Sequence, residues 1–229
     1  MKYSREELKE LIEWDIINWS RALEYWEVNS SIDFSKAEVL DLGSRHGGLS
    51  LWLANKGANV LCTDLNCPSE RANNMHLAHH VSHLINYSSL DATDIGYKDR
   101  FDIVIFKSML GGIGAENITK EKVAIEQIYK SLKKGGELLF AENLLGLPIY
   151  QPLRKQYVWW YDIWRYISLD EMLDYLSIFD DLQYSTTGVL GLLGRSERQR
   201  ELLGHLDQLF LSSIVPDRWR YIMFGIARK

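Results

Sequence analysis

Apolar runs that alternate with amphipathic stretches predict an α/β chain built on a doubly wound, mostly parallel sheet. Three observations carry the prediction. Residues 38–42, Glu-Val-Leu-Asp-Leu, form a short apolar run that passes through the turn Gly43-Ser44-Arg45-His46-Gly47 into a helix-forming stretch. Residues 59–64 repeat such a run and again close it with an acid, Asp64, as the second strand of a βαβ unit would. Residues 101–106 are apolar at every position but Asp102, the pattern of a strand covered on both faces.

The totals agree with one globular core. The chain has 229 residues, 46% of them hydrophobic, enough for one sizeable domain and short for two. No apolar run reaches the length of a membrane span. The net charge of −5, with basic residues scattered along the chain, argues against a protein held to nucleic acid through phosphates. The N-terminal residues lack the apolar core of a secretory signal, and Cys62 and Cys67 read as two reduced thiols. A cytoplasmic location is expected.

In chain order, residues 5–28 read as one amphipathic helix, with Ser4 and Glu7 forming a capping box. Its aromatic load, Trp14, Trp19, Tyr25 and Trp26, reads as core, with a cover over a bound ligand as the alternative. A helix over 48–56 ends at Gly57. A helix over 69–82 carries His76, His79, His80 and His83 on a mostly exposed face. The sequence places no carboxylate or thiol partners beside them, so no metal site is expected. Residues 84–87 form a third strand. Residues 119–134 form a helix ended by Gly135-Gly136, and 137–142 a fifth strand. Ser168 with Glu171, and Ser196 with Gln199, mark two further helix starts, running to about 179 and 213. Strands over 182–190 and 219–227 complete the chain.

The chemistry gathers at the first turn. A strand feeding a helix through glycines presents backbone N–H groups and a positive helix end to a ligand. A dinucleotide site would place G-x-G-x-x-G after the strand, with its acid only on the next strand. Here Asp41 precedes the first glycine, and the glycines are spaced G-x-x-x-G. This stretch resembles the first motif of the class I S-adenosylmethionine-dependent methyltransferases, D/E-x-G-x-G-x-G. Asp41, Gly43 and Gly47 match its acid, first and last glycines, while Arg45 departs from the middle glycine. Three later sites resemble the same family in order. They are Asp64, followed by Leu65, at the ribose position; Asp91-Ala92 at the adenine position; and Lys133-Lys134-Gly135-Gly136 before the fifth strand.

The resemblance implies a Rossmann-like, seven-stranded sheet with an antiparallel edge strand, an N-terminal helix and a helical, aromatic C-terminal insertion. It implies one methyltransferase domain over 1–229: a helical cover over 1–36, a cofactor-binding core over 37–143, and a substrate-side lid, insert helix and final strands over 144–229. S-adenosylmethionine, with S-adenosylhomocysteine as product, would be held by Asp41, Gly43, Ser44, Arg45, Gly47, Asp64, Leu65, Asp91, Ala92 and Lys107. Lys107 leaves the fourth strand where the family flanks the transferable methyl. Amine-methylating enzymes typically carry Asn/Asp-Pro-Pro-Tyr/Phe there, and this chain has none. Glu142-Asn143 offers half of the family's magnesium site, and Lys107 stands where its other acid would be.

The expected reaction is methylation of a hydroxyl on a sugar or other small molecule. His46 and Glu142 are the candidate bases, His46 ahead because its unperturbed pKa lies near neutrality, and Lys107 is the candidate for orienting the acceptor or a carboxylate. Tyr157, Trp159, Trp160, Tyr161, Trp164 and Tyr166 serve equally well as a lid, a substrate wall or a homodimer interface. A weaker resemblance, in Asn18-Trp19-Ser20-Arg21 and the aromatic C-terminal region, points to methyltransferases of bacterial surface-polysaccharide biosynthesis. A non-catalytic cofactor-binding or scaffold subunit is the alternative.

Overall fold

The computed structural model describes residues 3–158, 161–211 and 214–229. The elements in order are α1 (Arg5–Ile12), α2 (Ile16–Asn29), β1 (Glu38–Leu42), α3 (Gly48–Ala54), β2 (Asn59–Asp64), α4 (Ser69–Ala78) and β3 (Ile85–Ser89). There follow β4 (Phe101–Lys107), α5 (Leu110–Glu116), α6 (Thr119–Ser131), β5 (Leu132–Asn143), α7 (Tyr150–Tyr157), α8 (Leu169–Leu176), β6 (Asp181–Thr187), α9 (Glu197–Leu206) and β7 (Ile222–Arg228).

The described residues form a seven-stranded sheet in the order β3-β2-β1-β4-β5-β7-β6. β1 to β5 are mutually parallel, and β7 runs antiparallel between β5 and β6. The doubly wound sheet expected from the sequence is therefore present. After β3 the chain crosses back to the other side of β1, so the sheet has its switch point between the carboxyl ends of β1 and β4. Ligand crevices of open α/β sheets lie at that point.

Two apolar cores sandwich the sheet. One includes Trp19, Trp26 and Trp52 with Val39, Ile103 and Ile105. The other includes Leu40, Phe106, Ile125, Ile128, Leu138 and Met172. Trp19 and Trp26 are fully buried, as the core reading of the N-terminal aromatic stripe requires. The Trp26 indole N–H donates to the Gly225 carbonyl at 2.9 Å, pinning α2 across β7.

Several element boundaries differ from the sequence expectation. The single helix over 5–28 is two helices, broken at Glu13-Trp14-Asp15. Glu13 and Asp15 both adopt left-handed backbone, φ 74° and 45°, which ends α1 and re-aims α2. The new N-terminus of α2 is capped from far away: Glu197 accepts from the N–H groups of Asp15 (3.0 Å) and Ile16 (3.3 Å). α6 ends at Ser131, not at the glycine pair. Residues 132–136 already belong to β5, with Leu132 paired to Phe101, and the register shifts before Glu137 pairs with Ile103. α5 and α7 occupy stretches for which the sequence predicts no element, and α4 stops at Ala78 before His80 turns left-handed, φ 59°. The C-terminal insert helix lies where expected but is shorter, Glu197–Leu206, and passes into a π-type turn over Asp207–Leu211.

Candidate functional site

The turn after β1 is the centre of the carboxyl edge. Gly43, Arg45 and Gly47 all take positive φ, 63°, 54° and 78°. A side chain at Gly43 would press on Met109, its Cβ 3.2 Å from Cγ, so the two strand exits approach closely only because this position is glycine. Ser44 N–H donates to the Thr63 carbonyl at 2.9 Å, and its own carbonyl accepts from Gly47 N–H at 2.8 Å. The Cys62 thiol donates to the Ser44 hydroxyl oxygen at 3.2 Å.

Asp41 lies buried beneath the turn. Its Oδ2 accepts from the Ser50 hydroxyl at 2.6 Å, while Oδ1 is buried with no partner among the described residues. Burial pushes its pKa up to about 7, against the opposing pull of the Ser50 hydrogen bonds. An orphaned carboxylate oxygen under a glycine turn is an acceptor held ready for a donor that the chain does not supply.

Asp64 ends β2 beside the turn. Its Oδ2 accepts from Arg45 N–H at 3.0 Å and Oδ1 from Leu65 N–H at 2.8 Å, leaving further lone pairs for a diol. Leu65 projects an exposed side chain beyond it. Asp91 is exposed past the end of β3. Its Oδ1 takes both the N–H and the hydroxyl of Thr93, which together hold the carboxyl below its usual range. Ala92 beside it is buried. The three acids thus stand at successive strand ends on one edge of the sheet.

Lys107 ends β4, between Leu42–Phe106 pairing on one side and Ala141 on the other. Its ammonium rests on the faces of Trp19 and Trp14, 4.9 Å and 5.5 Å from the ring centroids. Among the described residues it has no hydrogen-bond or ion-pair partner. Loss of water around it pushes its pKa down to about 8.

Glu142 is fully buried one strand away. Its Oε2 accepts from Met109 N–H (2.9 Å) and Leu110 N–H (2.8 Å), and Oε1 from Asn143 N–H (2.9 Å). It therefore caps α5 and clamps the β4 exit to β5. Burial outweighs these hydrogen bonds and pushes its pKa up to about 7. Asn143 adds a bond to the Ser108 hydroxyl at 2.6 Å. His46 is exposed on the turn, 3.9 Å from Glu13, which also pairs with Arg45 at 3.4 Å.

Four residues escaped the sequence reading. Glu13 reaches the turn only because the helix breaks beside it. Trp14 and Trp19 carry Lys107, a pairing that no local pattern encodes. Ser50, nine positions after Asp41, holds it from the first turns of α3. His76 was expected on an exposed face and is buried instead, hydrogen-bonded to Gly47, because α4 packs against the glycine turn. His79 pairs with Glu10, and His80 and His83 are exposed. Among the described residues no group of three His, Cys, Asp or Glu side chains is arranged to hold a metal ion. Of the aromatic segment, Trp159 and Trp160 lie outside the described residues. Trp164 packs on Gly111 and Gly112, Tyr166 lies against the Arg154 guanidinium at 3.6 Å, and Tyr157 is exposed.

Residues 40–140 match the family model described as "Methyltransferase domain". Over those residues the chain is similar to methyltransferase domains, in keeping with the resemblance that its first turn carries. Among solved structures, the chain superposes on a Bacillus halodurans C-125 protein, provisionally assigned as a methyltransferase, with TM-score 0.61 and 18% identity over 92% of this chain and 99% of that one. It also matches Haemonchus contortus phosphoethanolamine N-methyltransferase 2 in complex with S-adenosyl-L-methionine, with TM-score 0.63 and 17% identity over 100% of this chain and 58% of that one. A third match is the [4+2]-cyclase SpnF, with TM-score 0.62 and 16% identity over 92% of this chain and 80% of that one. At these identities the likeness is one of fold. No curated protein matches the chain in sequence. The cofactor that this similarity implies is S-adenosylmethionine. The orphaned Asp41 oxygen, the two left-handed glycines and the available lone pairs of Asp64 fit that cofactor.

Proposed function

We propose that this methyltransferase acts on a hydroxyl of a sugar or related small molecule. The observation that supports an oxygen acceptor is Lys107, an amine at the switch point with no partner among the described residues and a pKa brought down to about 8. In its neutral form Nζ accepts the acceptor's hydroxyl proton, and the resulting ammonium is held over Trp14 and Trp19. S-adenosylmethionine supplies the electrophilic methyl when bound.

The chain's other residues divide into holding and shaping roles in this proposal. Asp41, Gly43, Ser44, Arg45, Gly47, Asp64, Leu65, Asp91 and Ala92 hold the cofactor. Glu142, with every carboxylate oxygen engaged, positions the β4 exit. His46, exposed beside Glu13, is the second candidate base. Residues 1–36 act as the cover, 37–143 as the cofactor core and 144–229 as the acceptor side, with Tyr157 offering an exposed ring to a sugar face. Free thiols at Cys62 and Cys67 suit a reducing cytoplasm. Among the described residues no helix is long and apolar enough to cross a membrane. Surface-polysaccharide precursors are the sugar acceptors to try first.

The test is transfer of labelled methyl from S-adenosylmethionine to a panel of sugars, nucleotide sugars, phenols and amines. Labelled O-methyl product supports the proposal. Transfer confined to amines overturns it, and the Haemonchus N-methyltransferase makes phosphoethanolamine the amine to include. A cofactor-binding scaffold is the second reading, favoured by Arg45 in place of a glycine in the turn. Tight cofactor binding without transfer to any acceptor would select it.

A further inference from the structure

Below the glycine turn sits a buried histidine that the reaction outlined above does not use. His76 is inaccessible to solvent, and both its ring nitrogens are engaged. Nε2 lies 2.9 Å from the Gly47 carbonyl oxygen, and Nδ1 lies 2.6 Å from the Tyr87 hydroxyl. The two rings stack with centroids 5.8 Å apart and planes 14° from parallel. We propose that His76 is a positioning residue for cofactor binding, its Nε2–H holding the Gly47 carbonyl and so fixing the orientation of the glycine turn. The proposal rests on the reading of residues 43–47 as the cofactor turn.

The hydrogen-bond roles follow from the chemistry of the three groups. A carbonyl oxygen only accepts, so Nε2 must carry the proton. Nδ1 of the neutral ring is then an acceptor, and the Tyr87 hydroxyl donates to it. Burial keeps both groups in those states. It pushes the imidazole pKa down and the phenol up to about 12, so the ring stays neutral and the hydroxyl keeps its proton. The Gly47 carbonyl thereby selects the tautomer, and Tyr87, on β3, satisfies the nitrogen left bare and holds the ring in place. The arrangement has the form of an outer partner orienting a histidine that orients a ligand-bearing group.

Sterics make the grip specific. Gly47 adopts φ 78°, and a Cβ there would lie 2.7 Å from His76 Cε1 and 2.8 Å from Ala72 Cβ. The glycine is thus required by its backbone conformation and by the ring pressed against it. The same carbonyl accepts from Leu51 N–H at 2.8 Å, the first bond of α3. Without the imidazole the carbonyl keeps its helical partner, so the helix survives, but the peptide gains freedom to rock. The N–H groups on the cofactor side of the turn then lose their fixed aim, a loss that falls on ligand affinity more than on folding.

The experiment is titration calorimetry of the full chain with S-adenosylhomocysteine, paired with nitrogen-15 NMR of the imidazoles. His76→Leu keeps the bulk and removes the donor, whereas His76→Gln restores an N–H at the distance of Nε2. The wild type is expected to show the neutral Nε2–H tautomer at pH 7. His76→Leu should weaken binding about five- to tenfold, the worth of one hydrogen bond, and His76→Gln by no more than about twofold. The KM for S-adenosylmethionine should rise in step with the dissociation constant in His76→Leu and recover in His76→Gln. Equal affinity in His76→Leu and wild type, equal loss in both variants, or an Nδ1–H tautomer would overturn the proposal. If His76→Leu fails to fold, Tyr87→Phe replaces it, with affinity expected to fall about two- to threefold as Nδ1 loses its donor and the ring its second anchor. Wild-type protein that binds no S-adenosylhomocysteine would instead sink the reading of the turn, and the tautomer measurement would still judge the grip.

Discussion

Replacing Lys107 by Met tests the proposed base most directly. Methionine keeps an unbranched side chain on Trp14 and Trp19 while removing the titratable nitrogen. The magnitude follows from the pKa of about 8, against the 10.5 of an ordinary lysine. At pH 7 about one tenth of such an amine is neutral, whereas an ordinary lysine is neutral about three times in ten thousand. The site therefore raises the fraction of base about 300-fold, and a positioned base contributes about 10²–10⁴ in rate. Turnover of the wild type should rise about tenfold per pH unit below 8 and level off above it, because only the deprotonated amine takes the proton. Lys107→Met should lose at least about 100-fold and show no inflection near 8. The assay is initial rate against pH from 6 to 10 at saturating cofactor, with S-adenosylhomocysteine affinity measured alongside. A flat wild-type profile, or a Lys107→Met variant at full turnover, would refute the assignment.

Three further substitutions probe the scaffold. Asp41 is raised to about 7 in the folded chain, so the folded state holds its proton more tightly than the unfolded one. Its contribution is complete at low pH and fades as pH rises towards 7; Asp41→Asn should remove roughly 3 kcal/mol of the stability difference between pH 5 and pH 8, read by urea unfolding at both. Glu142→Ala strips the acceptor from the N–H groups of Met109, Leu110 and Asn143, and should cost about 3–6 kcal/mol in the same assay. A change under about 1 kcal/mol would mean that water replaces the carboxylate. Glu197→Ala uncaps α2 at Asp15 and Ile16 and should cost about 1–2 kcal/mol, seen as a lowered thermal midpoint.

The parallel core of the fold was legible because its signals are local. β1, β2 and β4 are runs buried on both faces, so their apolar sequences alone mark them. Asp41 and Asp64 could be placed on neighbouring strand ends because one βαβ unit separates them. The misreadings share a different cause, a partner remote in sequence. The break at Glu13 to Asp15 interrupts an otherwise continuous helical pattern, and its cap is Glu197, from the far end of the chain. α5 holds Gly111 and Gly112, which disfavour a helix, yet their lack of side chains is what lets Trp164 press against it. Residues 132–136 look like a helix end because of Gly135-Gly136, but Leu132 is claimed by Phe101 across the sheet. His76 is followed within seven positions by three more exposed histidines, and only the packing of α4 on the turn separates it from them. The interplay of Lys107 with two indoles is likewise a meeting of distant segments.

The seating of α2 has a consequence for how the chain matures on the ribosome. Its anchors are Glu197, Tyr221 through Asp15 and Asn18, and the Gly225 carbonyl at Trp26, each from 182 to 206 positions further along the chain. α2 therefore cannot complete its packing until β7 has been synthesised and has joined the sheet. Messages that stop short of residue 221 would yield chains with an open front end, and these are the products a chaperone would be called on to shield.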